Sequence, residues 1–389
     1  MRFFRTMALF VLALLISMPG ICADSKCAGF VAQRQFQKAI DECTGEIGSG
    51  KFSGKELGVI YGYRAFAYKG LGNAEKSIED FNRAISLYPD GDLMYVGRGQ
   101  VYEARREFAK AVEDFSKAIE IDPKSVPAYM HRGIVHYYEK RYDMALKDLG
   151  KAVELDPKNA RALSFRGNTY AATGLQQKAL EDYGKALELK PKEFLSLLGR
   201  GLILKKLKHY EEALVDYDLL IEIAPGFWQA YLDRADINAS LKKYDKAIQD
   251  LDKAIEINPG QALSYYKRGL IYVFDHKPDK ALKDFNRAIE INPDNAGLYV
   301  TRGALYKEAA LYGNAAYDIK KALELKPNDL SAIMLLARIE ALRKNAPEAC
   351  KWLKTAYEKG GLRDTNIIIR EKDFDNIRGS ACYREFMAE

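Results

Sequence analysis

Histidine is scarce in this sequence, and its few copies are not arranged for catalysis. The chain has four: His131, His136, His209 and His276. None belongs to an H-E-x-x-H pattern, in which two histidines one helical turn apart bind zinc. No Gly-x-Ser-x-Gly segment, the turn that exposes a nucleophilic serine, is present either. The sequence therefore predicts a protein that is not an enzyme and that holds no cofactor or metal.

Apolar runs long enough to cross a membrane are also missing. The run from Met7 to Met18 has twelve residues, whereas a membrane-spanning helix needs about 20. Positive charges precede it and the small residue Ala23 follows it, which is typical of a cleaved secretory signal peptide. We therefore expect residues 1–23 to be removed, no membrane span in the mature chain, and a periplasmic or secreted location. An uncleaved anchor, or a lipid anchor on Cys22, is the alternative.

Cysteine is used sparingly. Signal cleavage leaves four of the five cysteines: Cys27, Cys43, Cys350 and Cys382. An even number after a signal peptide favours disulfides. Four cysteines allow three pairings, and their separation along the chain favours Cys27 with Cys43 and Cys350 with Cys382. A zinc site is the alternative, but the sequence lacks the C-x-x-C pair or neighbouring histidine that such sites use.

Neither sign of charge dominates. The chain has 60 Lys and Arg against 54 Asp and Glu, a formal net charge of +6. Both signs alternate along the sequence, which is typical of a solvated surface. Since no dense basic block occurs, we expect no nucleic-acid partner.

Proline provides the strongest signal that is present. Eight prolines recur at intervals of 34 residues, about the length of a helix–turn–helix unit. Strict self-similarity at this period marks a solenoid, in which each repeat buries its apolar face against its neighbours. These prolines are Pro89, Pro123, Pro157, Pro191, Pro225, Pro259, Pro293 and Pro327.

Small and large residues occupy fixed positions between the prolines. With repeat 1 counted from Gly58, the eighth position is glycine or alanine and the twentieth is alanine or serine. Aromatic or aliphatic residues fill the fourth and twenty-fourth positions. Small residues let two helices approach closely, and large residues fill the space beside them. Each proline then ends the second helix because it cannot continue the hydrogen-bond ladder.

These positions resemble the tetratricopeptide repeat family over residues 58 to about 360. The family's Gly, Tyr, Ala, Phe, Ala and Pro positions are matched, the Tyr position for example by Tyr68 and Tyr102. The chain departs at the family's Trp position, usually tyrosine here, and at its Leu position, which is arginine in eight repeats. The resemblance implies an all-α, right-handed superhelical solenoid of about nine 34-residue repeats plus terminal caps. It also implies a concave face, lined by the first helix of each repeat, that binds partners.

The arginine at the seventh position is matched by an aspartate sixteen residues later. If each hairpin turns near position 15, the two side chains lie at equal height on facing helices and form a ladder of ion pairs. Repeat 9 has Leu336 and Trp352 at these two positions, so both charges disappear together. A cationic stripe that binds an anionic ligand is the alternative. The predicted pairs are Arg64–Asp80, Arg98–Asp114, Arg132–Asp148, Arg166–Asp182, Arg200–Asp216, Arg234–Asp250, Arg268–Asp284 and Arg302–Asp318.

The ends of the chain differ from the repeats, as solenoid caps do. After the signal peptide we expect a degenerate capping repeat and a Gly-rich connection over 24–57, the solenoid over 58–363, and a C-terminal cap over 364–389. Residues 45–51 fit the first seven letters of a phosphate-binding loop. Phe52 replaces the Ser or Thr that binds magnesium, and a helix precedes the segment, so we interpret it as a flexible connection.

The resemblance implies that positions 2, 5, 9, 12 and 13 of the first helices line the binding groove. Family members that bind chaperone tails use Lys and Asn at positions 5 and 9, and here only Asn168 fits. The lining is instead mainly apolar and aromatic, which is typical of a partner site or of packing against the adjoining repeat. The predicted groove residues are Met130, Ile134, Tyr137, Tyr138, Asn168, Leu198, Leu202, Tyr266, Leu270 and Phe274.

The sequence thus favours a non-enzymatic adaptor in the periplasm or cell envelope that binds segments of other proteins in its groove. The alternative is an accessory subunit or carrier that binds anionic envelope polymers through Lys-rich turns such as Lys205-Lys206 and Lys242-Lys243. High salt would weaken the second mode and spare an apolar groove.

Overall fold

The 34-residue period is realised as pairs of antiparallel helices. The computed structural model describes residues 25–359, 361 and 366–388; the predicted signal segment, residues 1–23, lies outside them. All regular secondary structure in the described residues is helical. In chain order the α-helices are α1 (Cys27–Ala32), α2 (Phe36–Gly48), α3 (Gly54–Gly70), α4 (Ala74–Leu87), α5 (Asp92–Ala104), α6 (Phe108–Ile121), α7 (Val126–Tyr138), α8 (Tyr142–Leu155), α9 (Ala160–Ala172), α10 (Gln176–Leu189), α11 (Phe194–Lys206), α12 (Tyr210–Ile223), α13 (Trp228–Ser240), α14 (Tyr244–Ile257), α15 (Ala262–Phe274), α16 (Pro278–Ile291), α17 (Ala296–Glu308), α18 (Tyr312–Leu325), α19 (Leu330–Leu342), α20 (Ala346–Glu358), α21 (Asn366–Arg370) and α22 (Ala381–Ala388).

Helices α3 to α20 form repeats 1 to 9, with an odd-numbered first helix and an even-numbered second helix in each. The second helices end where the prolines predict: α6, for example, ends at Ile121, two residues before Pro123. The chain forms two compact units, one that ends at His209 and one that begins at Tyr210. The division falls in the turn inside repeat 5.

The turn inside each repeat has one conformation whatever its residue type. The residue at position 15 has a positive φ in all nine repeats, from +55° at His276 to +81° at Gly174. The next N–H bonds back to the first helix, as Arg141 N does to the His136 carbonyl at 2.8 Å. This is the usual end of a helix whose C′ residue is left-handed. Only two of the nine residues are glycine, so the repeat geometry imposes a conformation that costs other residues about 1 kcal/mol or more.

Close helix packing inside a repeat depends on glycine at position 8. A Cβ atom on Gly167 would lie 2.7 Å from a ring carbon of Tyr183, and one on Gly99 would lie equally close to Phe115. Both rings are buried at position 24. As predicted, a small residue on the first helix packs against a large residue on the second.

The terminal segments close the two ends of the solenoid. The structure brings Cys27 to Cys43, with Cα atoms 5.2 Å apart, and Cys350 to Cys382, with Cα atoms 6.1 Å apart. Both separations suit a disulfide. After α21, a 3-10 helix over Lys372–Ile377 buries Phe374 and Ile377 in the same apolar core as Leu336 and Leu353 of repeat 9.

The N-terminal connection is shorter than the sequence predicts. Helix α2 continues to Gly48 and α3 begins at Gly54, which leaves only residues 49–53 between them. The segment that resembles a phosphate-binding loop is therefore helical from Gly45 to Gly48.

The arginine and aspartate positions form a buried ladder of ion pairs. In six repeats Nε and Nη2 of the arginine donate to the two carboxylate oxygens of the predicted aspartate at 2.6–2.9 Å. Arg234 and Asp250 pair with distances of 3.1 and 2.5 Å. The aspartates are buried, so these guanidinium groups are committed within the fold rather than presented to an anionic ligand. Arg200 and Asp216 belong to different units, and their pairing stays a prediction.

In five repeats the third guanidinium nitrogen links the repeat to the one before it, which the sequence analysis did not anticipate. Nη1 of Arg98 donates to Oδ1 of Asn82 at 2.6 Å, and Nη1 of Arg132 donates to Oγ of Ser116 at 3.0 Å. Both acceptors lie on the second helix of the preceding repeat, sixteen residues before the arginine. The same spacing holds for Arg234 with Asp218, Arg268 with Asp252, and Arg302 with Asn286. The ladder therefore fixes the register between repeats as well as within them.

Replacing one member of a pair should be worse than replacing both. Arg166 and Asp182 suit this test because Gly150 stands where other repeats supply the third acceptor. In Arg166→Leu the Asp182 carboxylate stays buried without its counter-charge, which should cost about 3–5 kcal/mol. The double variant with Asp182→Leu should lose less, as measured by urea unfolding. An equal or greater loss in the double variant would contradict the ladder.

Candidate partner-binding surface

One face of each unit is formed by the first helices. We call the side chains at positions 2, 5, 9, 12 and 13 of these helices the first-helix face. Positions 5 and 9 lie about 200° around the helix from the arginine at position 7, on the opposite side of the first helix. Neighbouring first helices contact each other here, for example through Gln100 and His131, and through Asp236 and Lys267.

Burial corrects part of the predicted groove. Met130 is 6% exposed and Ile134 is fully buried, in an apolar cluster that includes Leu149 of α8 as well as Ala162 and Phe165 of α9. These two side chains therefore belong to the core of repeats 3 and 4 and cannot contact a partner. The sequence could not separate them from surface residues because neighbours on other helices decide how deeply they are buried.

Tyr138 is the centre of an exposed aromatic cluster in the first unit. Half of its surface is exposed. Its ring stacks on Phe108, with centroids 6.2 Å apart and planes 9° apart, and contacts the edges of Tyr137 and Phe165. Arg161 lies over the Phe165 ring at 5.6 Å. The cluster joins repeats 2, 3 and 4, and the sequence analysis missed Phe108, Phe165 and Arg161 as its members.

The remaining predicted residues of the first unit are accessible to different extents. Leu202 is 43% exposed, whereas Leu198 is partly buried. Asn168, also partly buried, accepts a hydrogen bond from the Tyr183 hydroxyl at 2.6 Å. The amide of Asn168 is thus oriented by a ring that reaches across the repeat from the second helix.

The first-helix face of the second unit presents a strongly exposed ring. Phe274 is 64% exposed at the end of α15. Tyr266 and Leu270 of the same helix are partly buried, and the Tyr266 ring packs on Phe285 with centroids 6.0 Å apart. Phe274 is therefore the groove residue of this unit that is best placed to contact a partner.

A directional chain of hydrogen bonds crosses the first-helix face of repeats 1 to 3. Lys69 can only donate, and its ammonium bonds to the amide oxygen of Gln100. The Gln100 amide nitrogen then faces His131 Nε2 at 2.9 Å, so this imidazole nitrogen accepts. His131 Nδ1 carries the proton and donates to Glu103 at 2.7 Å. His131 is therefore neutral in this arrangement.

Burial perturbs the charges of this chain. Desolvation lowers the pKa of Lys69 to about 8, although the charge of Glu103 opposes the shift. Desolvation also lowers the pKa of His131, against the attraction of Glu103 and with the repulsion of Arg161 and Lys69. Lys69 remains mostly charged at neutral pH, but its direct partners in the described structure are the neutral Gln100 amide and the Phe66 ring.

The C-terminal cap places an acidic residue on the first-helix face of the second unit. Oδ2 of Asp373 accepts from Nζ of Lys307 at 2.9 Å and from Nε of Arg338 at 2.8 Å. Arg338 Nη2 also pairs with Glu371 at 3.1 Å. Lys307 and Arg338 stand at positions 12 and 9 of repeats 8 and 9. Two neighbouring first helices thus bind one carboxylate between them.

These polar contacts can be recognised in the sequence, but by a spacing that differs from the repeat length. Lys69, Gln100 and His131 are spaced by 31 residues, as are Asp236 and Lys267. A step of 31 leads from position 12 to 9 to 6 in successive repeats, which is the contact line between neighbouring first helices. Comparison of equal positions at a step of 34 does not reveal it.

No other group in the described residues suggests chemistry. A cavity of about 570 Å³ between α16, α17 and α18 is lined by Arg302, Asp318 and Tyr317, but its arginine already serves Asp318 and Asn286. The described residues contain no cluster of three His, Cys, Asp or Glu that could hold a metal ion. They also include no helix with the length and apolar composition of a membrane span.

Fold and surface together define a helical repeat protein that binds other proteins. Family models described as tetratricopeptide repeat or TPR repeat match more than half of the chain. The chain belongs to the tetratricopeptide repeat family, whose members are generally non-enzymatic interaction scaffolds. The matches cover residues 60–90, 93–125, 126–159, 160–193, 196–227, 235–273 and 262–295.

Solved structures of similar fold include repeat proteins of several kinds. YrrB, described as a TPR protein with an unusual peptide-binding site, is 27% identical over 47% of this chain and 95% of its own, with a TM-score of 0.44. A tetratricopeptide repeat protein from Parabacteroides merdae is 20% identical over 63% of this chain and 97% of its own, with a TM-score of 0.44. MamA is 26% identical over 45% and 96%, with a TM-score of 0.42. No curated protein matches the chain.

The neutral state of His131 should make stability depend on pH. Its pKa is lowered from 6.5 by burial, so the unfolded chain takes up this proton at a higher pH than the folded chain. The contribution of His131 to the free energy of unfolding is therefore fully present above about pH 6.5 and decreases as the pH falls below that value. We expect the difference in unfolding free energy between wild type and His131→Gln to shrink between about pH 7 and pH 5, as measured by urea unfolding. His136 titrates in both proteins and cancels. A constant difference would contradict the assignment.

Proposed function

We propose that this protein is an exported adaptor that binds a segment of another protein on its first-helix face. The cluster around Tyr138 carries the proposal. A contiguous group of large aromatic side chains, of which the central one is half exposed, costs solubility unless a partner covers it. Aromatic residues are also those that most often supply the binding energy of protein interfaces.

Export is supported by the two ends of the chain. The signal-like run before Ala23 predicts passage out of the cytoplasm. The pairing of Cys27 with Cys43 and of Cys350 with Cys382 suits an oxidising compartment, where such bonds persist. The adaptor would then act in the periplasm or outside the cell.

Tyr138 should contact the partner directly. We would place a photoreactive phenylalanine analogue at Tyr138, and at Tyr317 as the matched control. Tyr317 is 68% exposed, more than Tyr138, and lies on the second helix of repeat 8. In-cell crosslinking should give discrete protein adducts from position 138, and fewer from position 317. Equal labelling from both positions would show ordinary surface encounters and would contradict the proposed face.

The exported protein should be processed and oxidised. Mass spectrometry of the non-reduced protein, purified from the cell envelope, should find an N-terminus at Asp24 and both disulfides. A retained Met1, or free thiols at all four cysteines, would contradict export.

A further inference from the structure

The first-helix face of the first unit carries more basic than acidic side chains. Four basic side chains and one acidic side chain occupy positions 2, 5, 9, 12 and 13 of its five first helices. They are Lys69, Arg161, Lys205, Lys206 and Glu103. Glu103 already accepts a hydrogen bond from His131. Within the described residues, no carboxylate lies within salt-bridge distance of Lys69 or Arg161.

Arg161 adjoins the aromatic cluster, and Lys69 is linked through Gln100 to His131, on the same helix as Tyr138. The charges of both act on His131, and Arg161 lies over the ring of Phe165, whose edge contacts Tyr138. Both basic side chains are partly exposed. A surface of this kind can pair with an acidic side chain and, beside it, pack against an aromatic side chain.

The second unit shows how the same positions hold a segment of the chain itself. Lys307 stands at position 12, as Lys69 does, seven repeats later. There Asp373 binds Lys307 and Arg338, and the next residue, Phe374, is fully buried in the core of repeat 9. The bound segment is thus an acidic residue followed by an aromatic one.

We propose that the first-helix face of repeats 1 to 4 binds an acidic–aromatic segment of the partner protein. Acidic side chains of that segment pair with Lys69 and Arg161. An aromatic side chain beside them packs on the Tyr138 cluster. This inference rests on the proposed function and adds the chemistry of the partner to it. A basic segment would be repelled, so the charge selects partners as well as attracting them.

The test is selection of peptides from a random decapeptide library displayed on phage, with the full chain as bait. The selected peptides should be enriched in Asp and Glu next to Phe, Tyr or Trp. A labelled peptide of the selected sequence should bind more weakly when salt rises from about 0.05 to about 0.5 M, because salt screens the partly exposed pairs.

Charge-neutral variants identify the side chains involved. Lys69→Gln with Arg161→Gln should weaken binding of the selected peptide at least about tenfold, the effect of losing one charge-assisted hydrogen bond. Lys124→Gln with Lys158→Gln is the matched control, since it also removes two positive charges, from exposed turns, and it should change affinity less than about twofold. Circular dichroism checks that the variants keep their helices, and the salt dependence of the wild type needs no variant.

The possible outcomes separate this inference from the proposed function. If peptides are selected without acidic enrichment, and lose binding in Tyr138→Ser, the face binds partners but the acidic–aromatic inference is wrong. If acidic peptides bind equally well to the Lys69 and Arg161 variant, the inference is also wrong. If no peptide is selected, or if Tyr138→Ser changes nothing, both the inference and the proposed face are overturned.

Discussion

The arginine at position 7 is the constraint on which the rest of the structure depends. Two of its nitrogens bind the aspartate on the facing helix, and in most repeats the third binds the second helix of the preceding repeat. A buried ion pair contributes little net stability, because desolvation offsets its attraction. Its effect is geometric. Because the donors of a planar guanidinium point in fixed directions, the group can bond to both partners only at one rotation of each helix and one offset between repeats. That rotation places positions 5 and 9 on the side of the first helix opposite the arginine, where they form part of the first-helix face.

Features that repeat in residue type could be predicted, and features that repeat only in geometry could not. Gly167 against Tyr183, and Arg166 against Asp182, follow from positions that hold the same chemistry in repeat after repeat. The left-handed turn residue is conserved as a conformation but is lysine, arginine, histidine, alanine or glycine. The third partner of the arginine varies among amide, hydroxyl and carboxylate in the same way. The packing of the helices fixes both features, whatever residue type stands at the position.

The candidate site could be predicted less completely than the fold. Periodicity predicted the helices, and the family resemblance implied the positions of the face, where Tyr138, Leu202 and Phe274 are exposed. It could not show that Met130 and Ile134 are buried, since exposure depends on the size of neighbours in other helices. Nor could it reveal contacts between repeats, such as Lys69 with Gln100, which connect different positions of the repeat. A site assembled from several repeats is specified by its departures from the repeat rather than by the repeat itself.

Position 12 shows how such departures give different repeats different roles. Lys307 and Lys69 stand at equal positions, but within the described residues only Lys307 of these two has a carboxylate at salt-bridge distance, and the chain supplies it from its own cap. There the acidic residue is held by the burial of Phe374 and by the pairing of Cys382 with Cys350, so the contact is permanent. Lys69 is left with a neutral amide and a lowered pKa of about 8, a state that a carboxylate would relieve. A carboxylate from a partner, as proposed for the first-helix face, would supply at Lys69 the counter-charge that Asp373 supplies at Lys307.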